Sequence, residues 1–314
     1  MASPSFCDIL DQIKPDLLIY DSFQPWAAEA AATRDIPAVF YAITGQPRMP
    51  SSTTSCINDQ STASLFRREI EGKYIDYISE KLGKTALPIG SLIRVQENKG
   101  RGKDSDEDDE IMRWLDGKEK HSTLYLSFGS EYYLSREEIQ EIAKGLELIS
   151  SANFIWVIRS PAGEETPLVE ALPKGFLERV KGRGIIVEKW APQIKILSHP
   201  SVGGFVMQCG WNSFLESIHF GVPIIAIPMH SEQFISARMA VELGIATEVM
   251  RDDDGRLYGE DIGKAVKSVV AEKAGEEMRA KVREVNAQMK MKGKQGIDNT
   301  AALLSELCLS KNSS

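Results

Sequence analysis

The sequence predicts a doubly wound α/β fold, and two observations carry that reading. Short runs of β-branched and aromatic residues recur along the chain, and between them apolar residues return at helical spacing. Strands that alternate with helices build βαβ units around a parallel sheet. The candidate strands are Leu17–Tyr20, Ala38–Tyr41, Leu124–Phe128, Phe154–Ile158, Ile185–Val187, Gly204–Val206 and Ile224–Ile227. They read as near-continuous apolar runs, as expected of parallel strands covered on both faces.

The helical stretches have their own signals. A helix starts near Gln24, after the first strand. Ser135 and Glu138 stand at capping-box spacing and open a helix whose Ile139, Ile142, Leu146 and Ile149 share one face. Near the C-terminus Met278, Val282, Val285 and Met289 share another. Two stretches break the rhythm. Residues 46–61 are polar, rich in Ser and Thr and without period, and read as loop; residues 96–109 (QENKGRGKDSDEDD) read as a solvated linker. The expected organisation is a first domain over residues 1–97, a linker over 98–106 and a second domain over 107–314.

Bulk properties narrow the function. The chain has 314 residues, of which 42% are hydrophobic and 26% charged, the composition of an ordinary globular protein with one large or two medium cores. A net charge of −8 argues against a nucleic-acid or anionic-membrane surface. No apolar run reaches the roughly 18–20 residues needed to span a bilayer, and the first residues lack the basic and apolar regions of a signal peptide. The four cysteines, Cys7, Cys56, Cys209 and Cys308, are widely separated, which suits a reducing cytosol and argues against a structural metal. A cytoplasmic location is therefore expected.

Chemistry concentrates in residues 190–233, WAPQIKILSHPSVGGFVMQCGWNSFLESIHFGVPIIAIPMHSEQ. A strand leads through Cys209, Gly210, Trp211, Asn212 and Ser213 into a helix carrying Glu216. Free N–H groups and the positive end of a helix dipole suit a phosphate there, with Asn212 and Ser213 adding donors. Glu216, one turn in, is placed to accept from a ribose diol. Trp190 follows a strand and suits stacking on a flat base. Each residue also has a plainer reading. Asn212 and Ser213 can be an ordinary N-cap, Trp190 can be core and Glu216 can be a solvated helix residue. Cys209 reads better as a small buried hydrophobe than as a nucleophile, and His199 better as a structural hydrogen-bonder than as a catalyst.

Over its whole length this segment resembles the signature box of plant secondary-product UDP-glycosyltransferases, in WAPQ, ILSHPSVGGF, CGWNSFLES, GVP and the closing EQ. YLSFGS (125–130), WLD (114–116), NFIWVIR (153–159) and LPKGFLERV (172–180) agree, and the likeness covers residues 107–308. It is weaker but visible in PDLLIYDSFQPWA (15–27) and FRREIEGKYIDYISEKLG (66–83). The wording of these pieces is nearest to the branch-forming group, which adds sugar to the sugar of a glycoside.

The resemblance implies a GT-B fold, two Rossmann-like domains, of which the C-terminal one is complete here and the N-terminal one shortened. It implies that Trp190 stacks on uracil, that the Ala191 backbone pairs with its edge, and that Gln193 and Glu216 hold the ribose. Ser130, Gln208, Asn212 and Ser213, with the turn at Gly210, would hold the diphosphate, and Trp211, Glu232 and Gln233 would meet the sugar. No cofactor and no metal is implied. The partners are a UDP-sugar donor, with glucose favoured by Gln233, and a small-molecule acceptor.

Catalysis in the family is inverting. A histidine deprotonates the acceptor hydroxyl and an aspartate orients that histidine. Asp21 matches the orienting aspartate, with a helix cap as its plainer reading. No histidine precedes His121, so the alternative is a chain that binds UDP-sugar with weak turnover or none. Two further departures are Gln208, where the box has His, and Glu232, where it has Asp. An unrelated dehydrogenase is disfavoured, since no GxGxxG follows the early strands.

Overall fold

The computed structural model describes residues 4–20, 24, 26–40, 64–66, 70, 80, 86–88, 106–130, 132–159 and 170–310. The chain forms two compact units, one of Met1–Leu92 with Ala287–Ser314, the other of Ile93–Asn286. The second unit thus ends short of the expected domain, which ran to residue 314. That boundary falls inside one continuous helix, and no Gly or Pro between residues 276 and 292 marks it.

The first unit holds helix α1 (Pro4–Ile13), strand β1 (Leu18–Tyr20), helix α2 (Trp26–Ala32) and strand β2 (Ala38–Phe40), with β1 and β2 paired in parallel. A second parallel pair joins β3 (Ser64–Phe66) and β4 (Ala86–Pro88), which the apolar pattern did not single out. Leu10, Ala30, Ala31 and Ile36 form one small core, and Tyr20, Ala27, Ala28 and Phe40 another.

The second unit opens with α3 (Asp106–Asp116). The last residue of the expected linker, residue 106, is therefore the first of a helix. An acidic run suits the positive end of a helix, and the buried Ile111 and Leu115 anchor its far side. The remaining elements are β5 (Thr123–Ser127), α4 (Arg136–Glu147), β6 (Asn153–Val157), α5 (Phe176–Arg179), β7 (Gly184–Val187), α6 (Gln193–Ser198), β8 (Val202–Met207), α7 (Trp211–Phe220), β9 (Ile224–Ala226), α8 (Ser231–Glu242), β10 (Ala246–Glu248), α9 (Gly259–Val270) and α10 (Lys273–Ser310).

Its six strands are all parallel, in the order β10-β9-β8-β5-β6-β7. The chain builds outward from β5 to β7, then returns to β8 and builds the other way. The order therefore reverses between β5 and β8, and ligands of open α/β sheets bind at the carboxyl ends of the strands at such a point. Leu124, Leu126, Phe154, Trp156, Val206 and Ile225 of the strands pack with Ile142 and Leu146 of α4 and Ile262 and Val266 of α9 in one buried core. The predicted capping box is present, with Ser135 Oγ accepting from the Glu138 N–H and Glu138 from the Ser135 N–H.

His199 keeps a structural role. Its Nδ1 accepts from the Ser201 N–H at 3.2 Å and lies 2.7 Å from Ser201 Oγ, while Nε2 is 3.2 Å from Asp116. Ser201 is buried and the His199 ring largely covered, with only Asp116 at the surface, as suits a structural hydrogen-bonder.

Candidate donor-binding site

The site begins with two turns at the switch point. After β5 the chain passes through Gly129, whose φ of +76° is a conformation that favours glycine. A Cβ on Gly129 would collide with Nε2 of Gln208, which follows β8. Gln208 is buried, and among the described residues its Oε1 has no hydrogen-bond partner. Rotating the amide by half a turn would put its NH2 at that point instead, the donor that an anionic oxygen needs.

Cys209 comes next, fully buried, with φ at +66°. A non-glycine residue held in the left-handed region carries strain, and such strain gathers at functional sites. Burial pushes its thiol pKa well above the ordinary value, with the charge of Glu248 adding to the effect. The thiolate is disfavoured, and the reading of Cys209 as a small buried hydrophobe stands.

Helix α7 is capped by the backbone of Gly210, with no side-chain cap bond. This removes the plainer reading of Asn212 and Ser213 as an N-cap, since they lie two and three residues further, inside the first turn. The first N–H groups of a helix have no intrahelical acceptor, so the start of α7 offers donors and a positive dipole end at the switch point. Trp211 stacks on Phe214 of its own helix, with ring centroids 5.2 Å apart and planes 15° apart.

A polar network joins α6, α7 and β5. Gln193, the first residue of α6, donates to Glu216 Oε2 at 2.6 Å and to Ser213 Oγ at 3.1 Å. Its Oε1 accepts from the hydroxyl of the buried Tyr125 at 3.2 Å. Three residues named from sequence are thus in direct contact. Tyr125 was missed as a member of the site. The signal was available, because a tyrosine on a fully buried strand must find a polar partner for its hydroxyl. Glu216 has a raised pKa. Burial is the larger cause, partly offset by the bond from Gln193.

Trp190 settles its two readings. It is 74% exposed, so it is not core, although Ala191 and Pro192 beside it are buried. The buried backbone holds the indole at the surface, where a large apolar ring marks a contact site more readily than a scattered aliphatic does.

Ser130 is exposed after β5, and its carbonyl accepts from Arg159 at 3.3 Å. Glu232 and Gln233 lie in the first turn of α8, after β9 and one strand beyond β8. Gln233 is buried, and its Oε1 accepts from the N–H groups of Met229 (2.9 Å) and His230 (3.0 Å). That bonding commits the carbonyl end and leaves the NH2 as the end for a ligand. Asp21 lies outside the described residues. Among the described residues, no helix is long and apolar enough to cross a membrane.

Residues 101–289 match the family described as UDP-glucoronosyl and UDP-glucosyl transferase. The chain is 42% identical to mogroside IIIx synthase of Siraitia grosvenorii, over 97% of this chain and 77% of that protein. It is 39% identical to β-D-glucosyl crocetin β-1,6-glucosyltransferase of Gardenia jasminoides, over 98% of this chain and 78% of that protein. Among solved structures it superposes on Phytolacca americana UGT2 complexed with UDP-2-fluoro-glucose and pterostilbene, with a TM-score of 0.80 and 28% identity, covering 98% of this chain and 80% of that one. The shared α/β architecture is GT-B.

Proposed function

Since this chain belongs to the UDP-glucoronosyl and UDP-glucosyl transferase family of plants, we propose that it transfers a hexose, glucose first among the candidates, from UDP-sugar to a hydroxyl of a small plant metabolite or its glycoside. The observation that supports this most is the Gln193–Ser213–Glu216 network at the start of α7, with the exposed Trp190 three residues before Gln193. A flat base, a vicinal diol and a diphosphate each find a suitable partner there. The indole face of Trp190 takes uracil, and the Ala191 backbone takes its edge. Glu216 and Gln193 take the ribose hydroxyls. Free N–H groups of α7 with Ser130, Gln208, Asn212 and Ser213 take the diphosphate. Trp211, Glu232 and Gln233 take the sugar. The Gln208 amide supports a ligand at this point, because its buried Oε1 has no partner among the described residues and half a turn of the amide puts an N–H donor there for a diphosphate oxygen.

The chemistry assigned is a single inverting displacement. The acceptor oxygen attacks the anomeric carbon, the bond from that carbon to the β-phosphate oxygen breaks, and UDP departs with the electron pair. Asp21 matches the aspartate that orients the family's catalytic histidine, but no histidine precedes His121 in this sequence, so the hydroxyl proton here passes to solvent water and turnover is slow for want of a general base. The charge that gathers on UDP meets the positive end of α7 and neutral donors, so the step needs no metal. Acceptors that already carry a glucose are favoured, because the Gardenia relative is by name an enzyme acting on a glucosyl compound.

The test is incubation with UDP-glucose and a panel of flavonoid and terpenoid glucosides, following UDP release and the mass of the product. A gain of one hexose on a glycoside, lost in Glu216→Ala, is expected. UDP binding without transfer to any acceptor would reduce the protein to a donor-binding chain. No binding of UDP at all would sink the proposal.

A further inference from the structure

The capping box accounts for only part of what Glu138 does. A cap needs one carboxylate oxygen, and Oε2 serves it by accepting from the Ser135 N–H at 2.9 Å. The same carboxylate also accepts from the Tyr132 hydroxyl, at 3.1 Å on Oε1 and 3.0 Å on Oε2. Arg251 Nη2 donates to Oε1 at 2.8 Å, and both side chains of this ion pair are largely withdrawn from solvent. Desolvation offsets much of the attraction in such a pair, so net stability alone is a poor reason for it.

The effect of the pair becomes plain in what Tyr132 touches. Its ring meets the ring of His230 edge-on, with centroids 5.0 Å apart and planes at 79°. Tyr132 lies on the segment after β5 and His230 on the loop after β9. These strands are not neighbours, because β8 lies between them. The ring contact therefore ties together the two segments that flank the exit of β8, where α7 begins. His230 leads on to Gln233, whose Oε1 holds the N–H groups of Met229 and His230. Arg251 closes the circuit, with its guanidinium against the Met229 sulfur and a bond to the Gly255 carbonyl at 2.8 Å.

We infer that Glu138 and Tyr132 are positioning residues for the donor sugar: through His230 they hold the Gln233 amide and the first turn of α8 in register with the start of α7. This rests on the donor-site reading above, in which Glu232 and Gln233 meet the sugar. It assigns a role in sugar recognition to residues that the signature segment does not contain.

Two variants test it in the full 314-residue chain. Tyr132→Phe deletes one hydroxyl and keeps the ring. Glu138→Gln keeps an acceptor for the helix cap and removes the charge that faces Arg251. Each protein is titrated with UDP, UDP-glucose, UDP-galactose and UDP-glucuronate, and the sugar nucleotide that the unaltered chain holds tightest is carried forward. The quantity read is the ratio of its Kd to that of UDP. Both variants raise this ratio about tenfold, the scale of one or two well-placed hydrogen bonds, while the Kd of UDP stays within twofold. If Glu138→Gln does not fold, Tyr132→Phe decides alone. A merely structural role would lower the melting temperature and weaken both ligands alike, leaving the ratio unchanged. That result overturns the inference and leaves the donor-site reading intact. An unaltered chain that binds no UDP overturns both.

Discussion

Replacing Gln193 with alanine cuts the polar network at its centre. The side chain makes three hydrogen bonds, to Glu216 Oε2, Ser213 Oγ and the Tyr125 hydroxyl, at 2.6, 3.1 and 3.2 Å. The bond to the carboxylate is charge-assisted and contributes about 2 kcal/mol, and the neutral bond to Ser213 about half that. Tyr125 is 1% exposed, so its hydroxyl cannot turn to water and falls back on Ser127, the other side chain that bonds it, at a cost of up to about 1 kcal/mol more. Ser213 and Glu216 are only half-buried and recover part of the loss from solvent. The expected net is about 3 kcal/mol, a fall in melting temperature of roughly 6–12 °C for a unit of this size. Nucleotide affinity falls as well. Glu216 loses the one bond that lowers its raised pKa, so the carboxylate that would accept the ribose diol is harder to keep charged. UDP binding should weaken at least tenfold at pH 8 and further at pH 5.5. Thermal unfolding by circular dichroism and calorimetric titration at the two pH values measure both effects. A melting temperature within 2 °C of wild type, with UDP affinity within twofold, would refute the reasoning.

Other substitutions separate binding from folding. Trp190→Ala should leave the melting temperature within about 1 °C, because the side chain is exposed, yet weaken UDP binding about tenfold through lost base stacking; unchanged affinity would remove Trp190 from the site. Gly129→Ala forces an L-residue into a left-handed turn and a Cβ onto the Gln208 amide. It should cost about 1–2 kcal/mol of stability and lower UDP affinity severalfold, read by denaturant unfolding and calorimetry. Glu216→Gln should trade function for stability. The folded-state pKa of Glu216 is raised above the ordinary 4.5, so its contribution is most favourable below that value and is lost as pH rises through the folded pKa. At pH 7–8 the glutamine variant should therefore unfold at an equal or higher temperature than wild type while binding UDP more weakly. A clear loss of stability at that pH would count against the burial argument.

The sequence and the structure agree best where pattern and packing obey the same rule. The strands around Leu124, Phe154, Val206 and Ile224 were visible because burial on both faces makes them wholly apolar, and the errors there are of one or two residues at the ends. Elements β3 (SLF), β4 (ALP) and β10 (ATE) are broken by Ser, Pro or Thr-Glu and show no continuous apolar run, whereas the equally short β9 lies in the run Ile224–Ile227. Trp190 could not be placed from sequence, because an indole after a strand fits both a core and a stacking surface; its exposure decided the matter. The cap of α7 was readable only in outline, since Asn212 and Ser213 are good caps by type while the helix is capped before them, at Gly210. The partners of Glu138 were hidden for another reason. Tyr132 is close to Glu138 in the chain, but Arg251, which pairs with Glu138, and His230, which meets Tyr132, are distant from both, and only the sheet order brings them together.

The most direct measurement is calorimetric titration of UDP into the chain in buffer containing EDTA, with Glu216→Ala and Ser213→Ala alongside. The donor site described here predicts saturable one-to-one binding that EDTA does not alter. It also predicts that each variant weakens binding at least tenfold, in line with the loss of hydrogen bonds that include one to a charged group. No heat of binding, or an affinity that neither variant changes, would contradict it.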